Sequence, residues 1–240
     1  MQNGSKILVV GDVSTAKTTA VVPNKEYGIK GLPPEETIII QCAGQGKEIP
    51  MKGWRKAYKA NKPIKEGGNY LSGYNVDVIN ALFRWIPGNR KEIRNIVIDD
   101  ADYMLGLQVL SSTDKFTYED WRALATKVVG KVINFALNDP SMAHLNIIFN
   151  FHKQVDNTGE VGAAVAGKMI SNYAKLEGLF STVLYTKVET DPATQTNQYY
   201  YVTQNIPGYP AKTLPGCFDE ILIKSDMGYV LDKINEYNNH

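Results

Sequence analysis

Five short aliphatic runs, at residues 6–10, 37–41, 95–98, 146–151 and 182–188, are separated by segments with helical spacing. That alternation predicts an α/β fold built on a mostly parallel sheet flanked by helices. Between the second and third runs, Val76, Ile79, Leu82, Phe83 and Ile86 share one helix face, which Pro87-Gly88 is expected to end. Thr117 and Asp120 have the spacing of a capping box. The helix they open would bury Trp121, Leu124, Ala125, Val128, Ile133 and Ala136 and close at Asp139-Pro140. After the fifth run the chain turns at Asp191-Pro192 and returns through the Tyr-rich residues 198–204, an antiparallel hairpin on the sheet edge. A last helix starts near Ser225 and buries Met227, Val230, Leu231 and Ile234, with a fraying end at Asn238, Asn239 and His240. At 240 residues, 43% hydrophobic and 21% charged, the chain suits a single domain spanning 1–240.

The first run leads directly into Gly11, Asp12, Val13, Ser14, Thr15, Ala16, Lys17, Thr18 and Thr19. Strand, glycine turn and Lys-Thr stand in the order of a phosphate-binding loop that opens a helix, so a nucleoside triphosphate, ATP, is the first ligand to consider. Backbone N–H groups would converge on phosphate oxygens, Lys17 would neutralise them, and the Thr18 hydroxyl would help hold Mg²⁺. Ala16 stands where the motif has its second glycine and is expected to take an ordinary backbone geometry; Ser14 adds no flexibility. Pro23 should stop the following helix within about two turns.

The third run ends in Asp99-Asp100, about 80 residues after the loop and with another strand between. Asp99 would hold Mg²⁺ through water and Asp100 would polarise the attacking water, with Gln41 or Glu48 as alternatives for the base. At the end of the fourth run, Asn150 or His152 would sense a γ-phosphate. The polar, Gly- and Ala-rich residues 154–167 that follow have the position of a mobile DNA-binding loop, and equally of a plain surface loop.

Net charge is +1, so a nucleic-acid surface must be local. Residues 52–65, KGWRKAYKANKPIK, supply one: Lys52, Arg55, Lys56 and Lys59 would follow a phosphate backbone while Trp54 and Tyr58 offer stacking faces to single-stranded DNA. The alternative is a solvated basic face with two buried aromatic anchors. Two cysteines without paired spacing and three histidines suggest neither disulfide framework nor structural zinc. A polar start that enters a strand at once and the absence of a long apolar run point to a cytoplasmic protein with no membrane partner.

With these elements placed, the chain resembles the phage-encoded RecA-like ATP-binding proteins grouped with Sak-type single-strand annealing proteins. The resemblance is carried by IPMKGWRK from Ile49, NIVIDD from Asn95, Gly167-Lys168-Met169, LEGLFSTVLYTKVE from Leu176, and YYVTQ from Tyr200 with Ala211-Lys212. The loop pattern G-D-x-x-T-A-K-[ST] also resembles that of replicative MCM helicases. The resemblance implies a RecA-type ATPase core, a ring or filament of copies with ATP between subunits, host-cell cytoplasm, and phage replication or recombination proteins as partners. It also implies that Lys187 on the fifth strand, or Lys168, reaches a neighbour's γ-phosphate. The function expected is a Mg²⁺-dependent ATPase of DNA recombination, repair or replication. A non-hydrolysing nucleotide-binding scaffold is the alternative. A small phosphotransferase ranks last, because Arg84, Arg90 and Arg94 do not form a clear lid.

Overall fold

The computed structural model describes residues 3–111, 117–165 and 175–239. Its strands are β1 (Lys6–Gly11), β2 (Thr37–Gln41), β3 (Tyr70–Ser72), β4 (Asn95–Asp99), β5 (Asn146–Val155), β6 (Val161–Ala163), β7 (Thr182–Thr190), β8 (Asn197–Val202), β9 (Asn205–Ile206), β10 (Tyr209–Pro210) and β11 (Leu222–Lys224). The main sheet runs β11-β8-β7-β1-β5-β4-β2-β3, with β6 paired to β5; β9 and β10 pair separately. From β7 to β3 the path is parallel, while β8 and β11 each pair antiparallel with their neighbours. One strand, β5, therefore lies between β1, which feeds the phosphate loop, and β4, which carries the two carboxylates. This is the arrangement expected, a mostly parallel sheet with antiparallel strands at its C-terminal side.

The strand runs are uniformly apolar because both faces of the sheet are covered. Leu8, Val10, Ile38, Ile40, Ile96, Ile98 and Phe149 face α2 (Val76–Asn89), α3 (Tyr103–Leu110) and the helical run from α4 (Tyr118–Ala125) to α5 (Asn134–Asn138). Ile7, Val9, Ile39, Val97, Ile148 and Leu184 face α6 (Met227–Asn238) and residues Ala20 to Val22. Each such side chain fully withdrawn from water contributes about 1.5–3 kcal/mol. Thr117 and Asp120 make the expected capping box, and α6 buries the expected stripe behind an Asp226 cap.

Local differences from the sequence have physical causes. Helix α2 continues through Pro87 to Asn89, since in the last turn proline forfeits little more than one backbone bond. Between α4 and α5 the helix widens into π turns over Thr126–Ile133, which keep Val128, Val132, Ile133 and Ala136 buried together; Trp121 is only half-buried. The Tyr-rich β8 is not the sheet edge, because β11 pairs along Val202 to Tyr200. Part of the stretch expected as a loop is a hairpin in which Val161 to Ala163 pair with Val155 to Lys153. Gly167, Lys168 and Met169 lie outside the described residues. Among the described residues no helix is long and apolar enough to cross a membrane.

The register aligns the carboxyl ends of the parallel strands. Gly11 lies opposite His152, and Gln41 opposite Asp99. Open α/β sheets bind ligands at this edge, and Gln41, Asp99, Asn150 and His152 lie toward it.

Candidate functional site

Gly11 ends β1 where no side chain fits: a Cβ would lie 1.7 Å from Thr186 Oγ1 and 2.8 Å from Thr15 Oγ1. Those hydroxyls bond to each other, Thr186 Oγ1 donating to Thr15 Oγ1 at 2.6 Å, and Thr15 Oγ1 donates onward to the Asp12 carbonyl at 2.8 Å. The loop is thereby tied to β7. Its other anchor is β5, through the ion pair of Lys153 Nζ with the Asp12 carboxylate at 2.6 Å. Val13 projects into solvent.

Ser14 and Ala16 have φ of 63° and 66°. Ala16 thus keeps the left-handed geometry of the glycine it replaces, not the ordinary geometry expected, at about 1–2 kcal/mol for each such residue. The helix expected after the loop is also absent from this segment: a single 3-10 turn spans Thr19–Val21, and Val22 is already extended, as the residue before Pro23 must be. Only Ala20 N–H to the Ala16 carbonyl, 2.9 Å, marks an α-turn. Among the described residues, none accepts a hydrogen bond from the backbone N–H groups of Val13 to Thr19. A run of free N–H groups whose backbone is left-handed at Ser14 and Ala16 suits phosphate oxygens, here without a long helix dipole behind it.

Lys17 is buried, and its Nζ donates to the carbonyls of Gly11 at 2.9 Å and Asp12 at 2.7 Å. Burial lowers its pKa below the ordinary lysine value, against the opposing pull of Asp100 and Asp99. The Thr18 hydroxyl donates to Asp99 Oδ2 at 2.7 Å, so the two residues expected to share Mg²⁺ are in direct contact. Asp99 is fully buried and bonded on both oxygens: Oδ2 also accepts from Gln41 Nε2 at 2.8 Å, and Oδ1 from Asn150 Nδ2 at 2.8 Å.

Asp100 sits at φ 52° with its carboxylate buried. Its Oδ2 accepts from Gln41 Nε2 at 3.3 Å and pairs with Lys47 Nζ, which stands 3.6 Å from Asp99 Oδ2. Its Oδ1 accepts no hydrogen bond within the described residues and lies 3.6 Å from His152 Nε2. The other ring nitrogen of His152 is 3.0 Å from Asp102 Oδ2, which fixes the imidazole. An oxygen of Asp100 left open, beside the Thr18–Asp99 pair, is a hard-oxygen donor set that fits Mg²⁺.

Several expected residues take other places. Gln41 is a carboxamide clip between the two carboxylates and has no proton-accepting role to offer as a base. Glu48 is bonded to Arg55 and to Trp54 Nε1, and those hydrogen bonds hold its carboxyl below the usual range. Asn150 directs its amide to Asp99 and so orients that carboxylate. Lys187 is half-buried and pairs with Glu189 of its own strand at 2.7 Å.

Trp54 and Tyr58 are buried in the core beneath the sheet and offer no stacking face. Trp54 meets Tyr70 edge-on at 4.8 Å, and α1 (Trp54–Ala57) presents Arg55 and Lys56 outward. Lys52 and Lys59 are likewise exposed, so this stretch is a basic face on aromatic anchors. Arg90 is also structural, donating to the carbonyls of Ile64 at 2.8 Å and Gly68 at 2.9 Å, and Arg84 lies over the Phe135 ring.

Lys47 is the residue that sequence reasoning misses. Burial pulls its pKa down, but Asp99 and Asp100 outweigh that and raise it above the ordinary lysine value. Its signal was available: a lysine in Gly44-Gln45-Gly46-Lys47, just past the end of β2, lies at the same sheet edge as the Asp-Asp pair.

No protein-family model and no curated protein matches the chain. Among solved structures it is similar to a KaiC-like protein from the hyperthermophilic archaeon Pyrococcus horikoshii OT3, at a TM-score of 0.43 and 15% identity, covering 88% of this chain and 83% of that one.

Proposed function

We propose that the chain is a Mg²⁺-dependent ATPase of DNA recombination, repair or replication. The reading rests most heavily on one observation, the 2.7 Å bond from Thr18 to Asp99 beneath a loop of free N–H groups, with an open Asp100 oxygen alongside. The N–H groups of Val13 to Thr19 hold the phosphates. Lys17, released from the Gly11 and Asp12 carbonyls, supplies positive charge to the β- and γ-oxygens. Thr18 and Asp99 would hold Mg²⁺, which would supply positive charge against the phosphates. Asp100 orients the attacking water and takes its proton, while Gln41 and Asn150 keep the carboxylates in place. Lys187 belongs to the same reading as a residue offered to a neighbouring copy in a ring or filament. The exposed Lys52, Arg55, Lys56 and Lys59 are the surface offered to single-stranded DNA.

A second reading, a nucleotide-binding scaffold that does not hydrolyse, is favoured by a separate observation: Lys47 already pairs with Asp100 and stands 3.6 Å from Asp99. ATP hydrolysis by wild type, Lys17→Ala and Asp100→Asn, with and without single-stranded DNA, separates the two. The ATPase reading expects turnover that rises with DNA and falls at least 100-fold in both variants, with ATP binding kept in Asp100→Asn. Binding without turnover in wild type under all conditions gives the scaffold the lead.

A further inference from the structure

Beside the phosphate loop lies a cleft of about 920 Å³ that none of the roles above uses. Ser14, Ala16 and Thr19 form its wall on the loop side; Tyr27 and Tyr199 line it from two other segments, and Ser225 from a third. Its size falls within the range of about 300–1,000 Å³ usual for small-ligand pockets.

The walls are built features. Tyr27 is 61% exposed, yet its backbone is fixed. Asn24 and Ile29 exchange two backbone bonds of 2.9 and 2.8 Å, the Asn24 side chain accepts from the Tyr27 N–H at 3.4 Å, and Lys224 Nζ donates to the Tyr27 carbonyl at 2.6 Å. An aromatic ring held in solvent by a pinned turn is poorly explained by packing. Tyr199 is half-buried on β8, with its carbonyl accepting from the Ser225 N–H at 3.0 Å. Ser225 is 2% exposed, and its hydroxyl has no partner among the described residues, a cost that a ligand hydrogen bond would relieve.

We infer that this cleft is a nucleoside pocket, in which Tyr27 and Tyr199 pack on the base of the nucleotide whose phosphates lie on the loop and the Ser225 hydroxyl bonds the nucleoside. The inference rests on the loop being a triphosphate site, because the cleft opens from the loop's own residues. Tyrosine faces and a single hydroxyl suit a planar heterocycle with a polar edge. Continuity with the loop favours a mononucleotide over the bases of a DNA strand.

The test is equilibrium binding of ATP and of inorganic tripolyphosphate to wild type, Tyr27→Ala, Tyr199→Ala and Ser225→Ala. Stacking losses predict ATP weakened on the order of 10- to 100-fold by either tyrosine change, with tripolyphosphate within twofold of wild type. Ser225→Ala should weaken ATP several-fold. Tyr27 is exposed, so its variant remains informative even where Tyr199→Ala fails to fold. Tyrosine variants that bind ATP like wild type, or lose both ligands equally, overturn the pocket while leaving the loop reading intact. Loss of oligodeoxythymidylate binding with ATP binding unchanged overturns it in favour of nucleic acid. A wild type that binds neither ATP nor tripolyphosphate overturns the loop reading, and the pocket with it.

Discussion

The loop with its carboxylates and the basic residues 52–65 are both dense in charge, but the fold treats them in opposite ways. At the first site the charges are turned inward: Lys17, Asp99 and Asp100 are buried and engage groups within the cluster. In the second the aromatics are buried and the lysines are left in water. Burying a charge is costly unless it is paired, so a cluster of buried, mutually bonded charges is retained against a penalty, whereas a solvated basic face incurs little. The comparison separates a site organised by the fold from a surface available for use.

The largest expected effect tests the second region. Trp54→Ala should destabilise the protein by about 3–5 kcal/mol in urea denaturation, as removal of a buried tryptophan does. Changing Lys52, Arg55, Lys56 and Lys59 together to Ala should leave the urea midpoint nearly unmoved while lowering single-strand affinity and flattening its salt dependence. A Trp54→Ala variant of native stability with weakened DNA binding would reverse the contrast and restore Trp54 as a stacking face.

Much of this was legible in the sequence, and the failures share a cause. The strands β1, β2, β4, β5 and β7 and the helix α6 follow from apolar runs and periodicity, which report burial directly. Thr18 and Asp99 were legible as partners because the strand order of such folds brings a loop after one strand to the end of another. Lys47 was missed although its place just past the end of β2 puts it at the same sheet edge as Asp100, because the contact itself depends on how the residues after β2 fold back. Trp54 and Tyr58 stayed open between stacking faces and buried anchors: composition marks aromatics among lysines, but only their burial in the core decides which way they face. Ser225 went unread as a polar site, because an orphaned hydroxyl exists only relative to its three-dimensional neighbours.

A smaller effect compares one glycine from each region. Gly11→Ala should cost about 1–3 kcal/mol, because the new Cβ displaces Thr186 and the Thr15 contact that ties the loop to β7. Gly53 at φ 73° has open space around it, so Gly53→Ala carries only the left-handed penalty of about 1 kcal/mol. Equal losses in thermal denaturation would mean that the loop is no more tightly packed than the basic face.

The two lysines of the site should give opposite pH signatures. Lys17 titrates below 10.5 when folded, so in the window from its folded value up to 10.5 the unfolded chain binds more protons and stability rises with pH. Lys47 titrates above 10.5 when folded, so its contribution is complete below that pH and is lost as pH climbs through its folded value. Urea midpoints measured from about pH 8 upward should therefore rise and then fall around 10.5. Lys17→Met should reduce the rise, keeping the part due to Lys6, which burial holds at about 8, and Lys47→Met should lessen the fall, keeping the part due to Tyr58, Tyr185 and Tyr201, whose hydroxyls burial holds above the ordinary tyrosine value. Profiles unchanged in both variants would show that neither lysine is held as described.

The smallest effect concerns strain inside the loop. Ala16 at φ 66° carries a left-handed penalty of about 1–2 kcal/mol that glycine avoids, while glycine adds about 0.5–1 kcal/mol of unfolded-state entropy. Ala16→Gly should therefore stabilise the protein by up to about 1 kcal/mol, read as a modest rise in Tm. Gly53 shows the same backbone region filled by the residue that suits it, with open space around it. Should Ala16→Gly stabilise the chain yet weaken ATP binding, the alanine is retained because it rigidifies the nest of N–H groups, and the strain belongs to ligand recognition. A variant that gains stability with ATP binding unchanged makes the alanine a tolerated departure from the glycine motif, and leaves Lys17, Thr18 and Asp99 to define the site.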